Sequence, residues 1–227
     1  VNSKNVQWDF NLNASYLKNT VVSLADNVKD SEAYDAQGNT HQGFTSGSFF
    51  IAEGSSMYTW YTYDYAGVDP QTGKSLWWKN TLDEEGKVTG RETTDDYSKA
   101  TKYLTGKTTL APLFGGFGTS ISAYGVDFSI NFTYQVGGKQ YDGTYATFMY
   151  SPTSSQVGFN YHKDLLNSWT PENKNSNIPR LRYTEKYSQN GLTDRFFSDA
   201  SYWNIQNVNF GYTLPKSVVE KMGINNM

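Results

Sequence analysis

Residues Phe117 to Gln135 read FGTSISAYGVDFSINFTYQ, two runs of strict alternation meeting at Tyr124-Gly125. In the first, Phe117, Thr119, Ile121 and Ala123 alternate with Gly118, Ser120 and Ser122. In the second, Val126, Phe128, Ile130, Phe132 and Tyr134 alternate with Asp127, Ser129, Asn131, Thr133 and Gln135. Period two means β-strand, because successive side chains leave opposite faces. A two-residue loop at Tyr124-Gly125 sets Ala123 against Val126, Ile121 against Phe128, Thr119 against Ile130 and Phe117 against Phe132. That register puts the apolar residues on one face and the polar ones on the other, and a one-residue slip would mix them. Gly125 suits a turn requiring positive φ.

Alternation alone leaves two environments open. The apolar face packs on a core in a soluble sandwich, or it meets lipid in a membrane barrel. Strands of about ten residues suit a tilted bilayer crossing.

The same grammar recurs. Val6, Trp8, Phe10, Leu12, Ala14 and Tyr16 alternate with Gln7, Asp9, Asn11, Asn13 and Ser15. In Ser201–Leu214, Trp203 and Ile205 hold one parity and Val208, Phe210, Tyr212 and Leu214 the other, which predicts a bulge near Gln206-Asn207. Asn13 and Asn131 begin N-x-S/T sequons, but in strands they line a polar face.

Between these runs the chain is less regular. Asn19–Gly47 reads as a polar loop with a short strand at Thr20–Leu24, and Met57–Tyr65 as an extended aromatic segment. Gly67–Lys74 (GVDPQTGK) is a tight loop, Ser75–Lys79 a returning strand, Leu82–Lys87 a solvated acidic turn, and Lys102–Pro112 the lead-in to the hairpin. Gln140–Tyr150 reads as a short extended piece. Val157, Tyr161, Leu165 and Trp169 then recur every fourth residue, predicting a short helix with Ser154 or Ser155 as N-cap. Pro215 opens a last helical turn that Gly223 closes.

Composition excludes several chemistries. There is no cysteine, so no disulfide and no thiolate nucleophile or ligand. A net charge of -3 without a basic block gives nucleic acid nothing to bind. With His41 and His162 as the two histidines, neither beside a second ligand, no metal site is expected. No nucleophile elbow, zincin, P-loop or dinucleotide motif is present. No apolar run approaches the roughly 20 residues of a membrane helix, which leaves a barrel open.

Five segments together resemble the C-terminal barrel region of the SusC/RagA-type TonB-dependent outer-membrane transporters of Bacteroidetes. They are WDFNLNASYLKN (Trp8–Asn19), YDYAGVDPQTGK (Tyr63–Lys74), PLFGGFGTSISAYGVDFSINFTYQVGGKQYD (Pro112–Asp142), LNSWTPENKNSNIPRL (Leu166–Leu181) and FFSDASYWNIQNVNFGYTLPKSVVEKMGI (Phe196–Ile224).

The resemblance implies an all-β fold, an antiparallel transmembrane β-barrel segment with one short helix in a long extracellular loop. Residues 1–227 would form the C-terminal part of a receptor barrel whose plug domain and final strands lie outside this chain. At about ten residues per strand it would supply roughly seven to nine of about 22 strands. It further implies an outer-membrane transporter, not an enzyme, importing oligosaccharides or peptides with a SusD-like surface lipoprotein, the TonB complex and outer-membrane lipid as partners. No cofactor is implied. The short Tyr124-Gly125 turn would face the periplasm, and Val136–Ala200 would be extracellular. Aromatic platforms suit sugar faces, so the loop aromatics Trp77, Trp78, Tyr161 and Trp169 are the candidate ligand contacts. The competing readings are a soluble carbohydrate-binding or adhesin β-domain and a secreted glycosidase.

Overall fold

The structure, a computed structural model, describes residues 5–150, 158–182 and 192–223. In chain order the strands are β1 (Val6–Tyr16), β2 (Ser31–Asp35), β3 (Thr40–Ser46), β4 (Phe49–Ala52), β5 (Thr59–Tyr63), β6 (Tyr65–Val68), β7 (Ser75–Leu82), β8 (Val88–Thr94) and β9 (Lys102–Thr108). There follow β10 (Leu113–Ala123), β11 (Val126–Val136), β12 (Lys139–Tyr141), β13 (Phe197–Asp199) and β14 (Tyr202–Tyr212). Two short helices are described, α1 (Gly143–Phe148) and α2 (Lys216–Lys221). The chain forms two compact units, a sheet unit (residues 1–18, 111–138 and 200–227) and an insert unit (residues 19–110 and 139–199).

The sheet unit is one antiparallel sheet in the order β1-β10-β11-β14. Each strand has 11 residues. The predicted hairpin register is observed, with Ala123 opposite Val126, Ile121 opposite Phe128 and Phe117 opposite Phe132. Tyr124 (φ 51°) and Gly125 (φ 87°) both take the left-handed conformation of a two-residue hairpin turn whose twist matches its strands. The Gly125 carbonyl accepts the Thr213 N–H at 2.7 Å, tying the turn to the end of β14. The predicted bulge is present, since Asn131 pairs with Asn207 while Phe132 pairs with Ile205, leaving Gln206 as the extra residue. The bulge returns both halves of β14 to one face, which is why its sequence parity changes.

Four long strands replace the seven to nine expected. The remaining strands are short and belong to the insert unit. The chain leaves the sheet after Tyr16 and re-enters at Leu113, its register partner. It leaves again after Val136 and re-enters at Tyr202, the partner of Gln135. Both long excursions therefore start and finish at one end of the sheet, opposite the Tyr124-Gly125 turn.

The insert unit holds a small closed barrel, β2-β3-β4-β5-β9, with a core of Ala33, Phe50, Ala52 and Leu104. A three-stranded sheet β6-β7-β8 and the pair β12-β13 accompany it. A second core gathers Ala146, Met149, Leu165, Ile178 and Phe196. Several local expectations are corrected here. Asn19–Gly47 carries β2 and β3, whereas Thr20–Leu24 is no strand. Val21 donates its N–H to Ser55 O at 2.8 Å and accepts the Gly54 N–H at 2.9 Å, a single pair of bonds rather than a ladder. Gln140–Tyr150 is mostly helix, because Asp142 caps α1 by accepting the Tyr145 N–H at 2.8 Å. In the stretch expected to be helical, Ser154, Ser155 and Val157 lie outside the described residues. The rest of that stretch holds a short 3-10 turn, Lys163–Asn167. There the Ser168 hydroxyl donates to Leu165 O at 2.6 Å, satisfying locally a carbonyl that a continuing helix would have used.

Candidate functional site

The sheet unit has two chemically opposed faces. One carries Trp8, Phe10 and Leu12 of β1, Phe117 and Ile121 of β10, Phe128, Ile130 and Phe132 of β11, and Trp203, Ile205, Val208 and Phe210 of β14. These side chains are largely uncovered, with Phe10 at 62 %, Trp203 at 69 % and Phe210 at 75 % exposure. Isolated exposed hydrophobics need no explanation, but a contiguous apolar sheet face does. Its two ends are aromatic. Tyr16, Tyr134 and Trp203 lie toward the excursions, Trp8 and Tyr212 toward the turn. From Val126 to Tyr134 the strand climbs about 27 Å. At a tilt of about 40° this gives roughly 20 Å of height, near the ~25 Å apolar band of outer-membrane barrels with their aromatic girdles.

Three polar side chains on this face, Trp8, Thr119 and Tyr134, are bonded within the sheet. Trp8 Nε1 donates to Thr119 Oγ1 at 2.7 Å, and that hydroxyl donates to Asp9 O at 2.9 Å. Tyr134 OH donates to Asn13 O at 3.2 Å, crossing β10 over Gly115, where a Cβ would stand 2.9 Å from the hydroxyl. A surface against hydrocarbon requires such closure, since lipid offers no replacement partner. Phe117, Phe132 and Trp203 stack in a row, with centroids 4.6 and 5.4 Å apart.

The other face is hydrophilic. Asn131 Nδ2 donates to Asn207 Oδ1 (2.9 Å), Asn209 Nδ2 to Ser129 Oγ (3.0 Å) and Gln206 Nε2 to Thr133 Oγ1 (3.0 Å). Asn13 Oδ1 accepts the Gly116 N–H at 2.9 Å, and Ser122 Oγ donates to Asp127 Oδ1. Toward the turn this face opens into a groove of about 440 Å³ that includes Asp9 and Asp127.

The four candidate ligand aromatics all lie in the insert unit, in separate settings. Trp77 is buried at 1 % exposure, edge-on to Tyr65 (5.2 Å) and Tyr97 (5.1 Å), so its ring is closed to solvent. Trp78 is half-buried beneath the Arg91 guanidinium (4.8 Å), which also covers Tyr103 (4.2 Å) and is ion-paired to Asp64. Burial pushes the Asp64 carboxyl up, and the Arg91 bond opposes it. Tyr161 packs against the second core. Trp169 lies across Gly73, its Nε1 donating to Pro70 O at 3.1 Å and its backbone N–H to Ile178 O at 2.8 Å. It borders an open depression of about 640 Å³ with Leu166, Leu181 and Arg180.

A further groove, about 700 Å³, joins Tyr65, Tyr145, Asp164, Asn167, Asn177 and Arg195. Tyr145 OH donates to Asp164 Oδ2 at 2.8 Å. The Arg195 guanidinium lies over Tyr65 (5.3 Å) and Phe196 (5.0 Å). The neighbouring Asp194 accepts the Tyr65 N–H at 2.9 Å and pairs with Lys107 at 2.9 Å. A reading based on aromatic side chains passes over Arg195, because the groove draws on positions from 65 to 195 that no motif links.

A two-faced antiparallel sheet of this kind, aromatic at both ends of its apolar side, is a stretch of transmembrane β-barrel of outer-membrane type. The individual relatives agree in fold. The chain is 29 % identical over 235 residues to TonB-dependent receptor P3 of Formosa agariphila, a match covering 99 % of this chain and 22 % of the relative. Among solved structures it superposes on the RagAB peptide transporter with a TM-score of 0.72 at 23 % identity, over 96 % of this chain and 22 % of that one. The RagAB peptide importer gives 0.71 in both its 'closed-closed' and 'open-open' states, again at 23 % identity and over 96 % of this chain, and over 22 % and 21 % of those chains. No family model matches. The chain spans about a fifth of the length of the relatives it matches.

Proposed function

We propose that this chain is part of the wall of an outer-membrane transporter that imports bulky nutrients in a TonB-dependent way. The observation that carries the reading is the continuous apolar face of β1, β10, β11 and β14, exposed on β1 and β14 and half-buried on β11, whose Trp8, Thr119 and Tyr134 polar atoms bond within the sheet. The whole-length likeness to a TonB-dependent receptor supports the energy source. The Asn, Ser and Asp face would line the lumen. The Tyr124-Gly125 turn would face the periplasm and the two long excursions the outside, because barrels of this type have short periplasmic turns and long external loops.

A SusD-like surface lipoprotein would be the extracellular partner and the TonB complex the energy-coupling one. Peptides or oligosaccharides would be the cargo, with Trp78, Tyr161 and Trp169 offering accessible ring surface and Trp77 buried behind Tyr65 and Tyr97. The role is transport without catalysis. The experiment is solubility of the expressed protein. It should be recovered folded from the outer-membrane fraction with detergent and aggregate when detergent is removed. A monodisperse detergent-free monomer with Phe10 and Phe128 protected would overturn the assignment.

A further inference from the structure

Several half-buried cations of the insert unit are matched by carboxylates. Arg91 pairs with Asp64, Lys107 with Asp194 (2.9 Å), Lys79 with Glu92 (2.8 Å) and Lys139 with Asp199 (2.9 Å). Arg195 differs. Two rings pin its guanidinium, Tyr65 at 5.3 Å and Phe196 at 5.0 Å, yet no carboxylate or carbonyl among the described residues accepts from it. Burial draws its pKa down, though a guanidinium keeps its charge in proteins. A charge partly withdrawn from water without an acceptor is costly, and a ligand carboxylate would offset that cost.

We propose that the groove between Tyr65, Tyr145 and Arg195 binds the carboxylate of a small ligand, with Arg195 as the anchoring residue. Five N–H donors in a planar fork match a carboxylate's two oxygens, and ring stacking fixes the fork's direction before the ligand arrives. The groove volume of about 700 Å³ suits a small molecule or the end of a chain. Asn167 and Asn177, both exposed at this groove, offer the donor and acceptor pair that an amide backbone uses. Asp164, in the same groove, disfavours a ligand with many negative charges and tolerates one with a single carboxylate. The identity of the cargo rests on the import reading, but the existence of the anion site does not.

The test runs on the whole protein in detergent. Benzoate should raise its melting temperature and benzamide should not, a comparison that needs no transport. In calorimetry a free-acid tripeptide should bind about ten- to a hundredfold more tightly than its C-terminal amide. R195Q should bring the free acid down to the amide's affinity and leave the amide unchanged. R195K, which keeps the charge without the fork, should fall between. A uronate disaccharide beside its neutral analogue separates a sugar carboxylate from a peptide one. If R195Q does not fold, the wild-type benzoate and amide comparisons decide alone. Equal binding of acid and amide, or equal shifts with benzoate and benzamide, would overturn the proposal. Failure of import with retained benzoate binding would overturn the transport reading only.

Discussion

The indole N–H of Trp8 and the hydroxyl of Thr119 meet at 2.7 Å across two neighbouring strands, on a face dominated by apolar side chains. The pair makes a concrete prediction. Thr119→Val keeps the shape and removes the acceptor, leaving an indole donor facing lipid. The loss should be about 1–3 kcal/mol, the cost of an unsatisfied buried donor. Thr119→Ser should stay close to wild type. Reversible urea unfolding in vesicles of the wild type and both variants measures the difference.

Face assignment gives a second prediction. Ile130 sits mid-strand on the apolar face, opposite Thr119 and Val208, while Ser129 beside it points the other way. Ile130→Arg should cost about 2–4 kcal/mol, as a cation does at the midplane of a barrel. Ser129→Arg should cost well under about 1 kcal/mol, the range of ordinary surface changes. A water-soluble maleimide should label S129C and spare F128C, and a lipid-phase quencher should do the reverse. If the reagent pattern is inverted, the lumen and lipid faces have been exchanged.

The hairpin turn is a third site. Tyr124 holds φ 51°, a conformation that asparagine and glycine adopt more readily. Tyr124→Asn should therefore stabilise by a few tenths to about 1 kcal/mol. Gly125→Ala should destabilise by about 1 kcal/mol, because Gly125 sits at φ 87° and an added Cβ would lie 3.1 Å from Thr213 O. Differences in unfolding midpoint between the two variants, with opposite signs, are the expected outcome.

In the insert unit, Trp169 rests where a side chain at Gly73 would go, and Gly73 has φ +72°. Gly73→Ala should displace the indole, break its bond to Pro70 O and red-shift the tryptophan emission. The expected stability loss is about 1–3 kcal/mol, typical of overpacking.

The same loop should loosen in acid. The Thr72 hydroxyl (2.5 Å) and then the Gln71 N–H (2.8 Å) hold the Asp69 carboxyl below its ordinary 3.8. A carboxyl lowered on folding contributes stability above its unfolded value, and that contribution disappears as pH falls through the folded value. Trp169 emission should therefore be steady above about pH 4 and change below 3.8. Asp69→Asn should remove the transition. An unchanged titration in that variant would detach the signal from Asp69.

The period-two runs make the sheet unit legible. Val6–Tyr16, the hairpin register through Phe117 and Phe132, and the surplus residue Gln206 can all be read from the chain because alternation ties each side chain to a face. The insert unit is legible only in part, since Met57–Tyr65 and Ser75–Lys79 do form strands, and its polar residues explain why the rest is not. Ser31–Asp35 and Thr40–Ser46 are short strands without clean alternation, and they pair into a barrel through contacts such as Tyr34 with Tyr103. Distant pairing of that kind leaves no local period. Residue type singles out the candidate aromatics, but type does not separate buried Trp77 from half-buried Trp78, its sequence neighbour on the opposite strand face.

Local alternation is enough to specify a two-faced antiparallel hairpin with its turn and apolar parity, and the bulge of β14, since strand geometry maps parity directly onto faces. That β1 and β14 flank the hairpin in register, extending the apolar face over four strands, emerges from the folded chain. It also places Trp8 on Thr119, and Arg195 in a groove with Tyr65 and Tyr145 with no ion-pair partner among the described residues. These are relations between residues roughly 50 to 130 positions apart, and chain folding, which sets such distances, leaves no trace in a local pattern.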